Sequence, residues 1–528
     1  VTDRVVVNGV LRTQDPARPQ AEALAVSSGR IVAVGSRTDI ESLARAGTKR
    51  IDLEGGTLLP GFYDSHVHVW KVGQLQTHIL DLRRVSGLEE LLSLVRERDR
   101  SLPEGAWLLG RGYNEATMKE GVQPTRADLD RAARHRPIAL TRTCGHMMVV
   151  NSRALALAGV TSATPSPPGG HMARDDSGAA TGLLQETAMG LVKRVLPEPT
   201  VEDYEEMVVA AGRSQLAKGI TAASEAGAYA DLVEAYRRLD REHRLPIRIH
   251  VMAMRLADES VEPLPLPTPF VSDSLRVDSV KLFADGGLSG GTAALREPYR
   301  SRNGSERGIL RADAAELFEH ALAAQQSGLR VCTHAIGDVA IEAVLDAYER
   351  LETVSNPRRG HRIEHFGLPD SAQIARAARL GVIVASQTVF LHALGTNFRR
   401  RLSEGYLERT YPVRSMLRAG LVVALGSDAP VVPDDNPLLG VQVAVTREDA
   451  DGKPIAPQET IAIEQALYCY TMGGALASGD ARDRGSLSAG KWADMVHLDR
   501  DPMTTPVESL TEIRVLRTFV AGNIAYEA

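Results

Sequence analysis

Eight short apolar runs recur along the 528-residue chain, separated by stretches of helical pattern. They are Leu58–His68, Gly219–Gly227, Pro246–Met254, Val277–Gly287, Gly328–Gly337, Gly360–Gly367, Gly381–Val389 and Gly420–Pro430. Runs this short, rich in β-branched residues and bounded by glycine or proline, read as strands buried on both faces. Two of the stretches between them, AAELFEHALAAQQSG and DSAQIARAARLG, each end at a glycine where a helix C-cap sits. Strands alternating with helices are the pattern of a parallel barrel. The expected fold class is therefore α/β, a TIM-type (β/α)₈ barrel.

One spacing breaks the rhythm. About 150 residues separate the first run from the second, where a single βα unit takes roughly 30. An inserted α+β domain is expected over residues 70–215, containing WLLGRGYNE, the strand-like RPIALTRTCGHMMVVNS and a Pro/Gly-rich loop, PSPPGGHMARDDSGAATG. Both chain ends read as short strands and turns. At the start these are RVVVNGVL, EALAVSSGRIVAVG and RIDLEGGTLLPG, with Asn8-Gly9 and Ser28-Gly29 as hairpin signals. At the end they are GSLSAGKWADMVHLD and RVLRTFVAGNIAYE. A small β-sandwich built from residues 1–57 and 485–528 is expected, which leaves 58–69 and 216–484 for the barrel.

Composition excludes several classes of function. Apolar residues make up 43% and charged residues 24%, ordinary values for a globular protein with a large core. A net charge of −6 supplies no attraction to nucleic acid or to an anionic membrane, so neither is an expected partner. No apolar run approaches the roughly 20 residues of a spanning helix. The opening VTDRVVVNG lacks a basic segment followed by an apolar run, so no secretory signal is expected. Three widely spaced cysteines, Cys144, Cys332 and Cys469, make neither a disulfide framework nor a CxxC zinc site and suit a reducing cytoplasm. Cys332 lies two residues before His334 on one strand and reads as a small core residue.

Five residues at the ends of these runs carry chemistry. His66 and His68 sit in DSHVHV, His334 in CTHAIGD, His365 in RIEHFG and Asp428 in LGSDAP. Side chains two apart on a strand point the same way, so the His-x-His pair shares a face. Imidazole suits zinc, and also manganese or iron. A carboxylate such as Asp428 can touch a metal and also take a proton from water as general base.

The order H-x-H, His, His, Asp across strand ends resembles the amidohydrolase superfamily, whose ligands project from the carboxyl ends of a barrel and hold one or two divalent metals. The stretches GRGYNE, CGHMMVVNSRALALAGV, GGHMARDDSGAATGLLQETA, VKLFADGGLSGGTAAL, THAIGD, RIEHFG, GSDAPV and GKWADMVHLDRDP run in order over nearly the whole chain. They look like the YtcJ-like (amidohydrolase 3) branch, similar to N-substituted formamide deformylases. One departure is Phe390, at a position where that branch often carries a histidine.

Lys281 decides the number of metals. Inside VDSVKLFADGG, a plain ammonium is costly to bury without a partner. The resemblance implies that such a lysine reacts with carbon dioxide, and its carbamate bridges two metals. The plainer reading is a lysine snorkelling past the strand end towards Asp285. Glu186 and Glu225 are further carboxylates for a bridge, with helix-surface and strand-end roles as their plainer readings. His146, Tyr113 and Arg111 of the inserted segment are the expected substrate contacts, His146 as a donor to a tetrahedral oxyanion. The basic run Arg399–Arg401 reads as a solvated face.

The expected function is hydrolysis of a non-peptide C–N bond in a small-molecule amide or N-substituted formamide by a metal-activated hydroxide. Two Zn²⁺ are the expected cofactors, with Mn²⁺ or Fe²⁺ as alternatives. Two rivals stand beside it. One is a mononuclear deaminase acting on an amidine or aminated ring, although such enzymes commonly carry His-x-x-Glu where this chain has His334-Ala-Ile-Gly-Asp338. The other is a non-catalytic regulatory protein on the same scaffold. The oligomeric state is open, a homo-oligomer included.

Overall fold

The computed structural model describes residues 2–115, 118–143, 145, 147–167, 170–256, 263–300, 304–354 and 360–528. Eight parallel strands in chain order form one sheet. They are β1 (Phe62–Val67), β2 (Ile220–Ala228), β3 (Arg248–Met254), β4 (Leu275–Phe283), β5 (Arg330–Ala335), β6 (Arg362–His365), β7 (Ile383–Ser386) and β8 (Val422–Leu425). Every residue of β1, β3 and β6 is buried, as runs covered on both faces require. The two end strands meet beyond their carboxyl ends. Asp428 N donates to His66 O (2.7 Å), and His68 N donates to Ala429 O (2.9 Å). Asp64 accepts from Ser427 N (2.9 Å) and Ser427 Oγ (2.6 Å), which clamps the same junction.

The helices stop where glycine allows it. Ala314–Gln326 ends ahead of Gly328 (φ 75°), and Ser371–Arg379 ahead of Gly381 (φ 63°). Ser371–Arg379 starts on a capping box in which Asp370 and Gln373 satisfy each other's backbone N–H groups.

The two ends of the chain form two sheets over a shared core. One sheet comes wholly from the first 52 residues; the other pairs Thr57–Pro60 with both Val10–Arg12 and Met495–Leu498. Leu24, Val26, Leu58, Met495 and Phe519 pack in the same cluster.

Three local expectations change. The run Leu58–His68 is two strands, because Thr57–Pro60 stays in the terminal sheet and the barrel begins at Phe62. Gly61 makes the switch possible: a Cβ there would lie 2.1 Å from Thr221 Oγ1. Asn8-Gly9 is not a hairpin turn. The strands on either side of it enter different sheets, whereas Ser28-Gly29 does join an antiparallel pair. The segment read as a Pro/Gly-rich loop contains a hairpin, Gly170–Arg174 with Ala180–Glu186. Its turn is organised by Asp175, whose carboxylate accepts from Ser177 N and Ala179 N, and by Gly178 (φ 80°).

The chain divides into two compact units, residues 1–69 with 211–528, and residues 70–210. The second unit is built on a six-stranded sheet with an apolar cluster on each face, one around Leu91, Leu108 and Leu140, the other around Met148, Leu155 and Leu184. No helix among the described residues is long and apolar enough to cross a membrane.

Candidate metal centre

His66 is on β1 and His68 one residue past its end; Lys281 is on β4, His334 on β5, His365 closes β6, and Asp428 follows β8. All six line one cavity of about 220 Å³. A ligand atom from each of His66, His68 and Asp428 lies within 4.8 Å of the others. His66 Nε2 is 3.5 Å and His68 Nε2 3.4 Å from Asp428 Oδ1. The His365 ring stands beside them, its centroid 4.7 Å from that of His66 and 4.5 Å from that of His334. Both His365 (φ 72°) and Asp428 (φ 55°) have left-handed backbone, which is costly for residues with a Cβ and is a recurrent feature of functional sites.

The nitrogen facing the cavity is set by what the other nitrogen does. His66 Nδ1 donates to Glu364 Oε2 (2.5 Å), and His365 Nδ1 donates to Gln387 Oε1 (2.6 Å), which leaves the Nε2 lone pairs for the cavity. His334 Nε2 donates to Gly286 O (3.2 Å), which leaves its Nδ1 lone pair. Burial, followed by the charge of Lys281, pushes the His66 imidazole well below its usual range. Burial and the neighbouring His334 and His66 do the same to His365. Neutral imidazole is the ligating form, so this donor set fits a divalent metal.

Lys281 is 1% exposed, which rules out a side chain reaching solvent. Its Nζ stands 4.9 Å from the centroid of the Phe283 ring. Burial lowers its pKa against the opposing pull of Glu364 and Asp428. Asp285, the partner for a snorkelling lysine, instead accepts the backbone N–H groups of Ala294, Ile336 and Gly337. Glu225 is fully buried on β2 and accepts from Tyr236 Oη (2.8 Å).

The rest of the cavity wall is mostly apolar, with Ser289 and the Tyr411 hydroxyl as its polar groups. Phe390 stacks on His365 (6.1 Å between centroids, 16° between planes), and Tyr411 meets Phe390 edge-on at 5.8 Å. Leu288, Ile336, Leu394, Phe398 and Val431 complete this side. Arg399 is turned away, bonded to Asp449 (3.0 Å) and to the carbonyls of Lys453 and Pro454.

In the second unit, Arg111 and Tyr113 lie on the strand Leu108–Tyr113. The Tyr113 ring is fully buried in that unit's core and its hydroxyl donates to Gln123 (3.2 Å). His146 lies outside the described residues.

Sequence reasoning missed Glu364, Gln387 and Asp64. Their one available signal was position: each is a polar residue inside or at the end of an apolar strand, two or fewer residues from a ligand or its neighbouring strand end. Burial raises the Asp64 carboxyl to about 7, although the Ser427 hydroxyl and N–H oppose it.

Comparison with known proteins agrees with this architecture. The chain is 33% identical to YtcJ of Bacillus subtilis over 520 residues, 96% of each protein. It is 32% identical over 542 residues to the N-substituted formamide deformylase of Arthrobacter pascens, 99% of this chain and 98% of that one. The crystal structure of an uncharacterized metal-dependent hydrolase from Pyrococcus horikoshii OT3 superposes with a TM-score of 0.80 at 27% identity, covering 96% of this chain and 99% of that one. The family model Amidohydro_3 matches residues 49–526, and the chain belongs to the amidohydrolase family.

Proposed function

We propose that this protein is a metal-dependent hydrolase of non-peptide C–N bonds, acting on an amide or N-substituted formamide. The observation that carries the reading is the convergence of His66, His68 and Asp428 at a cavity that His334, His365 and Lys281 also line. Divalent metals bound there would supply a water activated near neutral pH and polarise the substrate carbonyl. Asp428 takes one proton from water as the water oxygen bonds to the carbonyl carbon. It returns that proton to nitrogen as the C–N bond breaks, giving a carboxylic acid and an amine. Gln387 holds the His365 ring and Glu364 holds the His66 ring, so neither needs to reorganise during the reaction.

Lys281 supports a two-metal site. A buried amine whose pKa is lowered is more often in the neutral form that attacks carbon dioxide. The resulting carbamate, formed with loss of one proton, would add one negative charge shared by two oxygens to the same cavity. Zinc is the proposed metal, on the imidazole-rich donor set. The wall of Phe390, Phe398 and Tyr411 suits a neutral apolar substituent beside the scissile bond. The relative named N-substituted formamide deformylase agrees with a substrate of that kind. Substrate contacts from His146 and Arg111 belong to the same proposal, whereas Tyr113, expected as a third, is enclosed in the core of its own unit; His146→Ala should change preference among amides while metal content holds.

One observation favours the one-metal reading, a deaminase acting on an amidine or aminated ring: the tightest group of ligand atoms, His66, His68 and Asp428, suffices for a single ion. Elemental analysis of protein grown with added zinc or manganese, coupled to a panel of formamides, amides and amidines, separates the two. About two metals per chain with amine release from amides supports the first; one metal with ammonia release from amidines supports the second.

A further inference from the structure

The barrel interior beneath the site is charged, and one ion pair inside it touches a proposed ligand. Arg362 and Glu364 are both fully buried on β6. The guanidinium donates from Nε to Glu364 Oε1 (2.8 Å) and from Nη2 to Glu364 Oε2 (2.8 Å), a bidentate fork that holds the carboxylate plane. Oε2 is the same oxygen that accepts from His66 Nδ1 at 2.5 Å. Nη2 also donates to Ser65 O (2.7 Å), the carbonyl just before His66. One guanidinium therefore grips the backbone that carries His66 and the carboxylate that orients its ring.

Arg362 is itself anchored from below. Its Nη1 reaches Ser224 Oγ (3.4 Å), which is hydrogen-bonded to His250 Nδ1 (3.2 Å). His250 Nε2 in turn meets Ser279 Oγ (2.9 Å) and Asp278 Oδ1 (3.2 Å), and Asp278 is bonded to Arg330 (3.0 Å). All of these groups are buried. An isolated buried ion pair is rarely stabilising against an apolar replacement, so this column is poorly explained by stability alone.

We infer that Arg362 and Glu364 are positioning residues for His66: the pair locks that imidazole as the Nδ1–H tautomer, aims its Nε2 at the cavity and raises its affinity for a divalent metal. The inference rests on the metal-dependent reading above, and its tests fail separately from that reading. Carboxylate partners of ligating histidines change metal affinity about 10–100-fold when removed, which sets the expected scale.

The first test needs no substitution. In wild-type protein labelled with ¹⁵N-histidine, the His66 ring, assigned by comparison with His66→Gln, should carry its proton on Nδ1 at an unusually downfield shift. A proton on Nε2 overturns the inference. The second test measures metal retention against a competing chelator and the visible spectrum of Co²⁺-loaded protein. Glu364→Gln should lose about ten-fold in affinity and alter the Co²⁺ bands, and Arg362→Lys should recover part of the loss seen in Arg362→Met. Because a lone buried charge can prevent folding, the neutral double variant Arg362→Met/Glu364→Gln is measured as well. If it folds and binds Co²⁺ with wild-type affinity and spectrum, the pair only packs the barrel and the inference falls. Wild-type protein that retains no metal at all overturns the proposed function instead, and the ring tautomer can still be read in that metal-free protein.

Discussion

At the scale of single residues, the proposed reaction concentrates on Asp428, whose carboxylate oxygen lies within 3.5 Å of two imidazole nitrogens. Asp428→Asn keeps the shape of the side chain and removes its ability to take a proton. Turnover should fall by a factor of about 10² or more, with a smaller change in KM. Metal content must be measured in the same sample, since the carboxylate is also a proposed ligand; near wild-type kcat in fully metallated Asp428→Asn places the base elsewhere. A second prediction concerns Asp64, whose carboxyl burial raises from 3.8 to about 7. The folded state holds this proton more tightly than the unfolded chain. The contribution to stability is therefore full below about pH 4 and is lost as pH rises to about 7, at most on the order of 4 kcal/mol. Urea unfolding of metal-free protein across that window should show the decline, and Asp64→Asn should flatten it. An unchanged slope in the variant assigns the pH dependence to other groups. Asp64 was invisible beforehand because its role comes from a partner 363 positions away, Ser427.

At the scale of elements, all eight barrel strands were legible, because a strand covered on both faces is a short apolar run with glycine or proline at its ends. The residues that meet at the cavity, the proposed ligands, were legible too, as polar residues in or at the end of such runs. What stayed hidden depends on which element lies beside which. Thr57–Pro60 and Phe62–Val67 read as one strand because nothing local tells that their hydrogen-bonding partners belong to different sheets. Asn8-Gly9 has hairpin chemistry, yet the chain uses it to pass between sheets. Glu364 and Gln387 were unreadable as ring holders, since their partners come from other strands or the neighbouring strand end. On β4, Lys281→Ala should lower metal content from about two per chain, and reconstitution of the wild type should require bicarbonate. A stoichiometry of one that Lys281→Ala leaves unchanged sinks the two-metal form. On the helix Val389–Arg401, Phe390 offers an apolar face parallel to the His365 ring. Phe390→His should reduce kcat/KM for amides with apolar substituents about ten-fold relative to polar ones, the range for a changed hydrophobic contact. Equal loss on both kinds of substrate would mean that the ring supports His365 and does not select the substrate.

At the scale of the whole molecule, the proposed ligands are unevenly distributed. His66, His68, Lys281, His334, His365 and Asp428 all belong to the unit formed by residues 1–69 and 211–528. The unit of residues 70–210 has its own sheet and its own apolar clusters on both faces. A ligand that binds only the folded state stabilises it by mass action, about 2.7 kcal/mol when its free concentration is 100 times Kd. That stabilisation acts on the parts that must unfold to release the ligand. β1 and the residues after β8 are tied to each other through Asp64, His66, His68 and Asp428, so they should feel the metal most. Stripping metal with a chelator should therefore raise amide hydrogen exchange at β1, β6 and the Ser427–Asp428 turn, while the sheet strands within 70–210 keep their protection. Mass-spectrometric exchange on metal-loaded and stripped protein reads this directly. Equal deprotection of both units would mean that they unfold as one cooperative body, with the metal stabilising the whole chain rather than the barrel alone.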